Sequence, residues 1–185
     1  LFGYENFKRR FDWGLTYYRN SQQENFLFGS LNKIFEGKVI TNIYMGNISY
    51  PFDRTKRVGI SMGVRNDKYV TFTDITDTTS LIIPNLNRRY ALTHAEFVYD
   101  NTLNPTQNIW NGLRYKIYFD WNTDITKDKN ITTPGKYNFN WGFDARYYYP
   151  IYRNFIWAGR AAAEFSWGNQ KTIYYLGGSD GWLMF

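Results

Sequence analysis

From Gly112 to Asn122 apolar and polar residues alternate without a break. Leu113, Tyr115, Ile117, Phe119 and Trp121 fall on one face, with Arg114, Lys116, Tyr118 and Asp120 on the other. A two-residue period predicts a strand with unlike faces. Tyr137 to Tyr148 repeats it, setting Tyr137, Phe139, Trp141, Phe143, Ala145 and Tyr147 against Asn138, Asn140, Gly142, Asp144, Arg146 and Tyr148. From Phe155 to Trp167, Phe155, Trp157, Phe165 and Trp167 bracket Gly159, Ala161 and Ala163, opposite a face carrying Arg160 and Glu164. Val58 to Val64 alternates Val, Ile and Met with Gly and Ser. Tyr90 to Asp100 puts Phe97 and Tyr99 opposite His94, Glu96 and Asp100, and Phe11, Trp13, Leu15 and Tyr17 alternate near the start. The pattern predicts strands near 7–19, 38–50, 57–72, 90–100, 112–122, 137–149 and 154–167. Both faces of 38–50 are mixed, so its register stays unassigned.

Segments of about 10 residues suit a tilted transmembrane β-strand, whereas strands of soluble sandwiches run nearer 5 or 6. The apolar faces carry rings towards their ends, as the aromatic girdles of an outer-membrane barrel do, and the other faces mix charge with Gly, Ser and Ala, as a wet lumen would. The expected fold is therefore all-β: an antiparallel transmembrane β-barrel in a bacterial outer membrane. Composition agrees, with 21% aromatic residues but only 43% hydrophobic and a mean hydropathy of -0.55. No apolar run approaches the length of a helical membrane span. The net charge of +6 is scattered among Asp and Glu, which argues against nucleic acid as a partner. Without Cys there are no disulfides or thiolate metal sites. Leu1 to Phe11 offers no signal-peptide pattern, so any such signal is expected upstream or already removed.

Short turns at the periplasmic end and longer loops outside are the rule in such barrels. Residues 51–57 and 150–153 read as compact periplasmic turns opened by Pro51 and Pro150. Residues 74–89, 122–136 and 168 onward read as extracellular loops. By alternation 101–111 is periplasmic and 20–37 extracellular, although Phe26, Leu27, Phe28, Ile34 and Phe35 make that loop apolar enough to hold an eighth strand. Seven antiparallel strands do not close into an ordinary single-chain barrel, which uses an even number, and open edges in lipid leave backbone groups unpaired, so further strands are expected from elsewhere.

Four short stretches resemble the bacterial surface antigen superfamily, the barrels of outer-membrane protein assembly factors and two-partner secretion transporters. Ser49-Tyr50-Pro51-Phe52-Asp53-Arg54 looks like its strand-to-turn segment. Asp100 and Asn101, then Pro105 and Gly112, look like its periplasmic turn. Arg146 to Pro150 followed by Ala158-Gly159-Arg160 looks like the hairpin before the long sixth extracellular loop, and Tyr174-Tyr175-Leu176-Gly177-Gly178 looks like the start of that loop. The resemblance covers most of residues 38–178. It implies that the strands are about half of a roughly sixteen-stranded barrel, with 168–185 opening the sixth loop. The arginine-glycine-aromatic tip of that loop has no counterpart in Ser179 to Phe185.

For chemistry, His94 is the sole histidine, and no recognisable motif supplies it with a nucleophile. It reads as a luminal polar residue paired with Glu96 or with a neighbouring strand, and no enzyme, cofactor or metal is expected. Glu96, Arg114, Lys116, Asp120, Asp144, Arg146, Arg160 and Glu164 are expected to form a luminal charge network. Leu113, Tyr115, Ile117, Phe119, Trp121, Phe139, Trp141, Phe143, Trp157 and Phe165 are expected to face lipid. The expected partners are outer-membrane lipid and lipopolysaccharide, together with other envelope proteins or a client polypeptide. Three roles remain open: a protein-translocating or protein-inserting barrel, a passive or substrate-specific pore, and a structural barrel anchoring a larger envelope assembly.

Overall fold

The computed structural model describes residues 1–8, 10–28, 33–72, 85–102, 111–127, 136–153 and 155–173. Among these the chain is all-β. Strands β1 (Phe2–Asn6), β2 (Asp12–Phe28), β3 (Lys33–Pro51), β4 (Lys56–Thr71), β5 (Leu86–Asp100), β6 (Gly112–Asp124), β7 (Tyr137–Tyr152) and β8 (Phe155–Gly168) follow one another. They form one eight-stranded antiparallel sheet in sequence order. The sheet is not closed: β1 pairs with β2 and β8 with β7, and neither pairs with the other.

The pairings carry a single register across the sheet. Ile48 lies opposite Ile60, Ile60 opposite Ala95, Ala95 opposite Phe119, Phe119 opposite Trp141, and Trp141 opposite Phe165. Directly paired residues share a face, so this row and its neighbours two residues away make one apolar face from β2 to β8. The same register settles β3. Tyr44, Ile48 and Tyr50 belong to the apolar face, while Ile43 and Met45 lie among the polar residues, which is why its alternation is obscure.

Three expectations are corrected. The strand expected near 7–19 begins only at Asp12, as β2, and is preceded by a separate strand, β1, which ends at Asn6, whose side chain accepts from Lys8 N at 3.1 Å. The eighth strand is thus the N-terminal β1. Second, 20–37 is not one loop, since β2 and β3 stay paired from Asp12–Ser49 to Phe28–Lys33. Ser21 to Asn25 are exposed, so neither face there requires apolar residues and alternation has no reason to appear. Third, Pro150 does not end its strand. It pairs with Ile156 beside a register shift between Pro150 and Tyr152, a bulge being a place where a sheet tolerates the missing N–H of proline. Arg153, at φ 42°, makes the turn.

Candidate functional site

Two faces define what this sheet can do. On the apolar face, large side chains stand open: Leu15 is 59% exposed, Ile48 57%, Met62 60% and Trp157 52%. All the strands belong to one sheet, so among the described residues no second layer packs against them. Phe119, Trp121, Phe139, Trp141 and Phe165 form a near-continuous belt, with Trp121 stacked on Phe139 at 5.9 Å and Trp141 tilted on Phe165 at 5.2 Å. Leu113, Tyr115, Ile117, Phe143 and Trp157 share this face by register.

The opposite face carries the charges. Glu96 sits between Arg57 and Lys116, each at 3.7 Å, and His94 Nε2 also lies 3.7 Å from it. His94 Nδ1 is 2.5 Å from Asp120 Oδ1. Tyr118 donates to Glu164 at 3.0 Å. Asp144 accepts from Arg146 Nε at 3.3 Å and from Arg160 Nη2 at 2.7 Å. The eight charged residues named from the sequence are therefore on one face, and each has at least one polar partner on that face, Arg146 on its own strand and the others across neighbouring strands.

Ser61 lies directly opposite His94, and His94 directly opposite Asp120. This Ser–His–Asp row invites comparison with a hydrolase, whose nucleophile needs a hydrogen-bonded base and an oxyanion hole. His94 Nε2 instead approaches Glu96, and the backbone around Ser61 is committed to the ladders with β3 and β5. The row has the residues of a triad without its geometry. Among the described residues no group of three or more His, Cys, Asp or Glu is disposed to hold a metal.

The turn residues converge. Asp100 Oδ1 accepts from Thr102 N at 3.0 Å, and Asp100 N donates to Thr55 O of the preceding turn at 2.7 Å. Asn101 Oδ1 accepts from Leu113 N at 2.5 Å. Gly112 has a φ of +134°, and a Cβ there would meet Asn101 Oδ1 at 2.7 Å, so both the backbone and the space call for glycine. Pro105, Leu176, Gly177 and Gly178 lie outside the described residues.

A second polar cluster escapes the sequence reading. Asp67, only 1% exposed, accepts from Thr41 Oγ1 at 2.8 Å and pairs with Arg65 at 2.8 Å. Beside it Arg88 lies 3.9 Å from Asp124. Arg65, Asp67 and Arg88 border a cavity of about 530 Å³ that also takes in Tyr69, Tyr90, Asn122 and Asn138. The available signal is the spacing of Arg65, Asp67 and Tyr69, which continues the period of Ser61 and Gly63.

No family model matches this chain, and neither a curated protein nor a solved structure matches it.

Proposed function

We propose that this sheet is part of the wall of a bacterial outer-membrane β-barrel, of the kind that inserts or translocates proteins. The observation that carries the reading is the apolar face. Soluble monomers rarely expose contiguous apolar patches beyond a few hundred Å², and here open aromatic and aliphatic side chains stand on β2 to β4 and on β6 to β8, with Phe97 and Tyr99 half-buried on β5 between them. Lipid is the partner that suits such a face. Its height also fits. Trp157 and Trp167 bracket the small residues Gly159, Ala161 and Ala163 on β8. At ~3.3 Å per residue they are ~33 Å apart along the strand, or ~25 Å across a bilayer for a tilt near 40°, the height of a barrel's apolar band.

On this reading the polar face lines the lumen and further strands, from this chain or another, pair the edges of β1 and β8, since unpaired edges are not tolerated in lipid. The protein-handling role rests on the resemblance to surface antigen barrels and on the Asp100–Asn101–Gly112 turn. A non-enzymatic role, with lipid, lipopolysaccharide and a polypeptide client or envelope protein as partners, follows from the same reading.

The test uses Ile117 and Phe143, which are directly paired on the apolar face. Lys at either should cost about 2–4 kcal/mol of folding into lipid vesicles if they sit near the bilayer midplane. Ala162→Lys, on the polar face opposite Asp144, should be tolerated. Normal folding of both Ile117→Lys and Phe143→Lys would remove the membrane reading.

A further inference from the structure

We infer that the polar face carries a binding site for an acidic polypeptide segment, built on a cross-strand row of arginines. Arg114 pairs directly with Arg146, and Arg146 with Arg160. Like charges placed directly opposite in a sheet are destabilising, so such a row needs an answering charge. Only part of one is in place. Asp144 serves both Arg146 and Arg160, and Arg114 reaches Asp100 at 3.5 Å, a carboxylate already accepting from Thr102. Among the described residues three guanidiniums thus face two carboxylates. The arginine side chains are 53%, 44% and 56% exposed in the order Arg114, Arg146, Arg160.

Strands β6 and β7 are interior to the sheet with both neighbours paired, so the excess charge at Arg114 and Arg146 does not come from an open edge. Guanidinium forks match carboxylates and phosphates alike. The surroundings favour the carboxylates of a polypeptide. Arg160 lies between Ala158 and Ala162 along β8, and Val98 precedes Asp100 on the same face, so the row is bordered by small apolar contacts that suit side chains next to Asp or Glu. Lipid headgroups would approach the opposite face, where Tyr115 and Tyr147 lie.

This inference rests on the barrel reading and names the client chemistry of its lumen. The probe is a short fluorescein-labelled peptide with Asp at alternate positions among Ala and Val, compared with its Asn counterpart. Binding is read by fluorescence anisotropy on the full protein folded in detergent, at low ionic strength. The Asp peptide should bind at least about tenfold more tightly than the Asn peptide, the equivalent of one charge-assisted hydrogen bond. Arg114→Gln and Arg146→Gln should each reduce the affinity by about the same factor, and added salt should weaken binding. Equal binding of the two peptides, or unchanged affinity in the double variant, overturns the site. Displacement by inorganic phosphate at concentrations matching the peptide carboxylates overturns the polypeptide assignment in favour of a small-anion site. The same preparations are checked for insertion into vesicles. Wild-type protein that folds and inserts but ignores the peptide refutes this inference alone, whereas failure to insert refutes the barrel reading and the inference with it.

Discussion

Tyr118 on β6 crosses its pair partner Gly142 on β7 and donates to Glu164 on β8 at 3.0 Å. A Cβ at position 142 would clash with the phenolic edge of Tyr118, so the bridge between β6 and β8 depends on the missing side chain. Gly142→Ala should destabilise the folded protein by about 1–3 kcal/mol, measured by urea titration of the vesicle-folded form. Combining it with Tyr118→Ser, which removes the ring, should recover most of the loss, because the two changes share one contact.

Gly112 predicts a backbone effect of a different origin. With φ at +134°, Gly112→Ala places a Cβ in a region that only glycine occupies comfortably, at a cost of order 1–3 kcal/mol. Asn101→Ala, which removes the acceptor for Leu113 N, should cost about 1 kcal/mol. Equilibrium unfolding of both variants checks this, and a neutral Gly112→Ala would mean that the turn can relax.

Asp53 makes the turn after β3 sensitive to acid. Its Oδ1 accepts from the Thr55 hydroxyl, Thr55 N and Lys56 N, and these bonds, the Thr55 hydroxyl first, hold the carboxyl below its ordinary value of 3.8. A carboxylate depressed on folding contributes stability that is fully present above that ordinary value and is lost as pH falls through the folded value. Asp53→Asn should therefore flatten the acid limb of the stability profile below about pH 4 and leave its shape near neutrality unchanged. Unfolding midpoints measured across that range would show it.

Orientation is testable by labelling, since the chain has no cysteine. Lys127 follows β6 at one end of the sheet and Arg54 lies in the β3–β4 turn at the other; both are exposed. Lys127→Cys should react with an impermeant maleimide on intact cells, and Arg54→Cys only after the outer membrane is opened. The reverse pattern would invert the topology.

Alternation sorts the residues of β6, β7 and β8 into the same two faces as the observed register, because those strands have unlike surroundings on their two sides. Where the surroundings are alike the signal vanishes, as at Ser21 to Asn25, polar and exposed throughout. Ile43 and Met45 hide the register of β3 for the opposite reason, being apolar on the polar face. The charge networks are legible only in part. Asp67 meets Thr41 and lies opposite Arg88 through pairings with two different strands, and register decides such meetings. The row of Ser61, His94 and Asp120 is likewise a product of strand order.

The β2–β3 hairpin has a mechanical consequence. Pairing between β3 and β4 stops at Gly37 and Thr71, while β2 and β3 remain paired as far as Phe28 and Lys33. Among the described residues this last stretch, Lys33 to Glu36 with its partners on β2, is a two-stranded ribbon ~13 Å long at ~3.3 Å per residue. At its root the ring of Phe26 meets Tyr69 edge-on at 6.0 Å and Phe35 is buried to 6% exposure. A ribbon this narrow twists more readily than the sheet that anchors it, so a load on it is borne as torsion above this brace. Stiffness at this end of the sheet is thereby set by a few aromatic side chains.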